Sequence, residues 1–222
     1  MKIKLASYLA LALLPLAPAQ QIRAQQIHRE NTEWCDAWMP NMNASDRPRV
    51  MLIGDSITRA YFTAVERALK DQAYVARIAT SKALGDPALL DEINTFLKQA
   101  RFDIVHVNIG MHGWAYSEDD YRRALPDLIA AIRRAAPGAK LIWASTTPVR
   151  KDREGGAANA RIEMRNTIAR EYAAAHEIPI DDLHALMTPH ADLHSDDIHF
   201  NPQGSDLLAA QVAREIVKLL PR

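Results

Sequence analysis

The stretch Val50-Met51-Leu52-Ile53-Gly54-Asp55-Ser56-Ile57 decides the reading of the whole chain. Its four apolar residues stop at a glycine, and a helical pattern follows with Tyr61, Ala64, Val65, Ala68 and Leu69 on one stripe. An uninterrupted apolar run suits a strand covered on both faces, and the helix after it must fold back to do the covering. Ser56 therefore falls where a strand hands over to a helix, with its own amide pointing outward. The positive end of the helix dipole can steady a negative charge that develops there. The tripeptide by itself is a weak signal, since Asp55 and Ser56 could be plain helix caps, and its strength comes from this position between strand and helix.

Outward from this point, Tyr74 to Ala79, Ile104 to Asn108, Lys140 to Ser145 and Ile178 to Ile180 read as further short strands. Helical stripes lie among them, one formed by Tyr121, Leu125, Leu128, Ile129 and Ile132 and a last one by Leu207, Leu208, Val212, Ile216 and Leu219. Strands and helices alternating in this way imply right-handed crossovers and a parallel sheet covered on both faces. The expected fold class is α/β, a three-layer α/β/α sandwich around five strands. Ligands of such sheets bind beyond the carboxyl ends of the strands, and Ser56, Gly85 and His112 would converge on that edge. The polar segment 146–159, rich in Pro, Gly, Lys and Arg, reads as a loop over or beside it.

At the amino end, Met1-Lys2-Ile3-Lys4 precedes an apolar stretch from Leu5 to Leu16 and the small residues Ala17-Pro18-Ala19. This is the pattern of a signal peptide, and the apolar part is well short of the roughly 20 residues that span a bilayer. The expected organisation is a leader over residues 1–24, an irregular lead-in over 25–48 and one domain over 49–222, with export to a periplasm or beyond the cell and no stable membrane insertion after cleavage. The 27 basic and 27 acidic side chains balance, which leaves no electrostatic footprint for nucleic acid. Cys35 is the only cysteine, so no internal disulfide is available, and its place between Trp34 and Trp38 suggests a buried thiol.

Near the other end, Asp196-Asp197-Ile198-His199 precedes Asn201-Pro202, which reads as the cap and first turn of the last helix. A serine hydroxyl becomes a useful nucleophile when an imidazole takes its proton and a carboxylate fixes the imidazole's tautomer. Ser56, His199 and Asp196 can supply the three roles, with Asp197 a competitor for the third. His184, His190 and His194 share this region, but their intervals do not follow the spacing of metal ligands, and no metal is expected.

Four blocks in order now stand out: Gly54-Asp55-Ser56, Gly85 within Ser81-Lys82-Ala83-Leu84-Gly85-Asp86-Pro87, Gly110-Met111-His112-Gly113, and Asp196 to His199. Together they resemble the SGNH/GDSL hydrolase superfamily from about Arg49 to the C-terminus. The resemblance implies a flavodoxin-like sheet, an ester hydrolase of the GDSL type and no metal or organic cofactor. It gives Ser56 the role of nucleophile, His199 that of base and Asp196 that of its orienting acid. The amides of Ser56 and Gly85 take oxyanion roles.

The third block departs from the superfamily's usual Gly-x-Asn-Asp, which puts its third oxyanion donor in question. An imidazole N–H can donate as an amide does, so His112 is one candidate, and Asn108 at the strand end is the other. Trp114 and Tyr116 could offer flat apolar surfaces to a substrate, or could be ordinary packing. The expected partner is a small-molecule or glycan ester substrate. Three functions remain open: an esterase with a short-chain or carbohydrate O-acyl ester as substrate, an O-acyltransferase using the same acyl-enzyme on a glycan, and a non-catalytic carbohydrate-binding relative.

Overall fold

In a computed structural model, residues 26–221 are described, and the expected leader over 1–24 lies outside them. The strands are β1 (Cys35–Trp38), β2 (Arg49–Gly54), β3 (Tyr74–Thr80), β4 (Ile104–Val107), β5 (Lys140–Ala144) and β6 (Ile180–Asp181). They form one sheet in the order β1-β3-β2-β4-β5-β6. The helices are α1 (Ser56–Leu69), α2 (Pro87–Leu97), α3 (Glu118–Ala135), α4 (Asn159–Ala175), α5 (Leu183–Met187) and α6 (Pro202–Val217).

Five strands, β2 to β6, run parallel. β2 lies near the centre, and every one of its residues is buried. Val50 and Leu52 face a layer formed with α1 and α6, whereas Met51 and Ile53 face the layer formed with α2, α3 and α4. The alternation of side chains along a strand thus assigns each apolar residue of the run to one of two cores. Counting only the parallel strands, the order is that of flavodoxin-like sheets, and its direction reverses between β2 and β4. Ser56 follows β2 and His112 follows β4, so both belong to the crevice at that reversal.

The expectation of five strands is short by one. Cys35–Trp38, inside the segment expected to be irregular, pairs antiparallel with β3, from Cys35 opposite Thr80 to Trp38 opposite Arg77. This strand has no apolar run because it is an edge, half covered at best, and Asp36 on it binds Arg77 at 2.7 Å. Its position also corrects the expectation for Cys35, which is exposed. The last strand begins later than expected: the Ile178 N–H bonds to Ala173 at the end of α4, and pairing with β5 is made by Ile180 and Asp181.

Two glycines set the crevice. A Cβ on Gly54 would stand 2.0 Å from Thr58 Oγ1 and 3.2 Å from the Asn108 carbonyl, so only glycine lets β2 turn into α1 this close to β4. Gly113 has φ +76 and lies against Ala83, which packs the loop after β4 onto the loop after β3. Among the described residues, no helix is long and apolar enough to cross a membrane.

Candidate active site

Ser56 is the first residue of α1, and the Asp55 side chain caps that helix by accepting from the Ile57 N–H at 2.8 Å. A first-turn amide has no carbonyl one turn behind it, so the Ser56 N–H is free to face a ligand. Ser56 Oγ lies 2.8 Å from His199 Nε2. The other ring nitrogen, Nδ1, lies 2.8 Å from Asp196 Oδ2. Asp196 Oδ1 also accepts from the backbone N–H groups of Ile198 and His199, each at 2.7 Å. Partial burial pushes the Asp196 carboxyl up, but the His199 N–H, the His199 ring and the Ile198 N–H outweigh it and hold the group well below the ordinary carboxylate range. A carboxylate that stays ionised keeps the proton on Nδ1 and the lone pair of Nε2 toward the serine.

Asp197 takes another part. It faces Arg150 and Arg153 at 3.4 and 3.5 Å, and its carbonyl accepts from the Arg150 N–H, so it ties the 146–159 loop to the histidine segment. Asn201 caps α6 by accepting from the Gly204 N–H at 3.0 Å, and His199 is placed just ahead of that fixed start. His194 packs its ring against Phe200 and its Nε2 lies 3.2 Å from the Pro148 carbonyl, a structural post away from Ser56.

A cavity of about 640 Å³ opens over Ser56 and His199. Trp34 and Trp114 form apolar parts of its wall, and Arg59 and Arg153 bring positive charge to it. His112 lines the same cavity. Its Nδ1 is 2.7 Å from Glu30 Oε1, and its Nε2 is buried without a partner. Burial works against a charge on this ring, but the Glu30 hydrogen bond and the Asp55 carboxylate prevail and raise its pKa above the ordinary histidine value.

Asn108, Gly85 and Tyr116 are not among the residues that line the cavity over Ser56. Asn108 is buried and donates to the Ser145 carbonyl at 3.3 Å, so its amide serves the strand ends. Gly85, with φ 109, lines a second cavity together with Leu84, Pro87 and Leu90; Lys82 and Ala83 are the members of its loop that approach Asp55 and His112. Tyr116 is buried and its hydroxyl accepts from the His28 N–H at 2.8 Å, which makes it an anchor for the amino-terminal segment and not a wall of the cavity.

The loop that carries His112 is held from below by residues that sequence reasoning passed over. Arg165 on α4, almost wholly buried, donates to the carbonyls of Gly110 and His112 at 2.8 Å and of Gly113 at 2.9 Å. Arg161, one turn earlier, donates to the carbonyls of Trp114 and Tyr116. Two further residues, Glu30 and Trp34, come from the segment before β1.

The family model described as "GDSL-like Lipase/Acylhydrolase family" matches residues 52–207. No curated protein sequence matches the chain. Solved structures share its fold. A lipase/acylhydrolase from Enterococcus faecalis is 24% identical with a TM-score of 0.66, over 78% of this chain and 97% of that one. A carbohydrate esterase family 3 protein from Talaromyces cellulolyticus is 20% identical with a TM-score of 0.62, over 78% and 97%. The aryl esterase of M. smegmatis is 14% identical with a TM-score of 0.66, over 78% and 100%.

Proposed function

The chain belongs to the GDSL-like lipase/acylhydrolase family and is a serine ester hydrolase, and we propose that it is exported and cleaves short-chain or carbohydrate O-acyl esters through an acyl-serine intermediate. The observation that carries this reading is the unbroken line from Asp196 through His199 to Ser56, with 2.8 Å at each link. His199 takes the Ser56 proton as Oγ attacks the ester carbonyl, and Asp196 stabilises the imidazolium that results. The Ser56 N–H and His112 face the oxygen that becomes negative. Collapse of the tetrahedral adduct breaks the bond to the alcohol, which leaves with the proton from His199. Water, deprotonated by His199, then attacks the acyl-serine and frees the acid.

The walls favour a small acyl group on a polar alcohol. Trp34 and Trp114 offer apolar faces, and Arg59 and Arg153 offer donors to hydroxyl or carbonyl oxygens. This combination suits a sugar better than a long alkyl chain.

The test is turnover of 4-nitrophenyl acetate by wild type and Ser56→Ala, with a fluorophosphonate probe to capture the nucleophile. Labelling and turnover that both disappear in Ser56→Ala support the acyl-serine route, and a folded wild type that does neither overturns it. Adding an acceptor sugar during turnover and analysing the products separates hydrolysis from acyl transfer. Export is tested by fractionating cells and sequencing the amino terminus of the mature protein, where a retained leader would overturn it.

A further inference from the structure

Glu30 precedes the family-matched residues, yet it reaches into the site. The segment that carries it is fastened along its length: the His28 N–H donates to Tyr116, Arg29 pairs with Asp86 at 3.0 Å, and Glu33 accepts from Lys82 and Ser81 at 2.7 Å each. Glu30 is thus delivered to His112 by a braced stretch of chain.

A carboxylate only accepts hydrogen bonds, so the 2.7 Å contact requires that His112 Nδ1 carry a proton. In a neutral ring, the other nitrogen would then be a bare lone pair, and a lone pair repels an oxyanion. His112 Nε2 can donate only if the ring is a cation. We propose that Glu30 is a positioning residue that holds His112 as an imidazolium, so that its Nε2–H stabilises the oxyanion as a full positive charge.

The surroundings agree. His112 stands between the cavity over Ser56 and a narrow recess, shared with Asp55 and Lys82, that has no room for a water molecule. Asp55 Oδ2 is buried without a partner and shares this recess with the His112 ring; burial pushes the Asp55 carboxyl up, and the nearby His112 ring and the Ile57 N–H pull it down. The basic groups near the ring each face an acidic partner of their own, although Arg59 also brings its charge to the cavity. Lys82 is paired with Glu33 at 2.7 Å, Arg59 faces Asp36 at 4.0 Å, and Arg165 approaches Glu118 at 3.5 Å beneath the loop. His199 faces Asp196. Against the cost of burial, Glu30, Asp55 and Glu33 favour a charged His112, with the directly bonded Glu30 foremost.

This inference rests on the oxyanion role of His112 in the proposed function. It predicts that kcat/KM for 4-nitrophenyl acetate falls on the alkaline side as His112 loses its proton. In Glu30→Gln the amide oxygen still accepts from Nδ1 but the charge is gone, so the alkaline fall should move down by about one pH unit. In His112→Asn that fall should vanish, and adding Glu30→Gln to His112→Asn should change nothing further. A purely structural Glu30 would instead lower activity at every pH and in both backgrounds. Nitrogen-15 spectra of wild type supply a readout independent of any variant: at about pH 7.5, above the ordinary histidine value of about 6.5, both His112 ring nitrogens should be protonated. An alkaline fall that Glu30→Gln does not move, or a neutral ring at that pH, overturns the inference while leaving the hydrolase standing. Wild-type rates in both His112→Ala and His112→Asn remove His112 from the oxyanion role and this inference with it.

Discussion

Arg165 Nη1 lies 2.8 Å from the carbonyl oxygen of His112 and at the same distance from that of Gly110, and its Nη2 lies 2.9 Å from that of Gly113. One buried guanidinium therefore satisfies three carbonyls of the loop after β4, and the Trp114 ring lies 4.1 Å from its Cζ. A lysine cannot reach three acceptors in this fan, and methionine reaches none. Arg165→Lys and Arg165→Met should each lose roughly 2–4 kcal/mol of stability in urea unfolding, because buried carbonyls are left without donors. Under native conditions kcat should fall more than KM rises, since the loop holds His112. A loss below about 0.5 kcal/mol for Arg165→Met would mean that the loop keeps its shape without the arginine.

His199 Nε2 meets Ser56 Oγ across 143 residues of sequence, and neither group has a chemical role without the other. Ser56→Ala and His199→Ala should each lower kcat/KM by about 10⁴-fold or more, and the double variant should be no worse than either single one. Asp196→Asn should also cost about 10⁴-fold, for a reason visible in the contacts. The asparagine oxygen would stay with the N–H groups of Ile198 and His199, which leaves its NH₂ against Nδ1. That moves the ring proton to Nε2, where it blocks uptake of the serine proton. Additive losses in the double variant would argue that Ser56 and His199 act separately.

The sheet and the line from Asp196 to Ser56 were legible because both leave local marks: buried parallel strands are apolar throughout, and Asp196 and His199 are three residues apart before a clear helix cap. The rest depended on contacts between distant segments. β1 was missed because an edge strand needs no apolar run. Glu30 and Trp34 were missed because nothing near them in sequence says that their segment crosses the catalytic edge. Asn108, a candidate from its place at the strand end, turns its amide to the Ser145 carbonyl, a contact with the end of a strand far away in sequence, and Gly85, carried over from a motif block, lines a second cavity. Arg165 did leave a signal: it falls on the same helical stripe as Ile162, Ala169 and Ala173, and an arginine on a buried stripe must have acceptors waiting for it.

Cys35 is exposed as a residue, but its sulfur is partly covered, and burial followed by the Glu92 carboxylate pushes the thiol up to about 11. Thiolate, not thiol, is what alkylating agents attack. Iodoacetamide should therefore label the native protein slowly at neutral pH and faster as the solution approaches that value, and Glu92→Gln should speed labelling at neutral pH. Cys35→Ser should retain ester hydrolysis within about twofold, as expected of a surface change away from the site. Rapid labelling of the wild type at neutral pH would contradict the placement of this thiol beside Glu92.

Asp196 links the site to stability in acid. Its folded pKa is held below the unfolded one by the His199 and Ile198 N–H groups and the His199 ring, despite some burial. A depressed carboxylate stabilises the fold above its unfolded value, about 3.9, and the contribution is lost as pH falls through the folded value. Asp196→Asn cannot ionise, so its urea midpoint should lie below that of wild type from about pH 5 upward and approach it as the solution is taken below about 3.9. The gap should be small, because half of the side chain is exposed to solvent. Activity behaves differently: Asp196 remains an anion wherever the protein stays folded at moderate pH, so any fall in turnover in mild acid should not originate at Asp196. A stability gap that stays constant from about pH 6 to 3 would show that the N–H groups of Ile198 and His199 do not depend on a charged Asp196, and the tautomer argument for Asp196→Asn would fall with it.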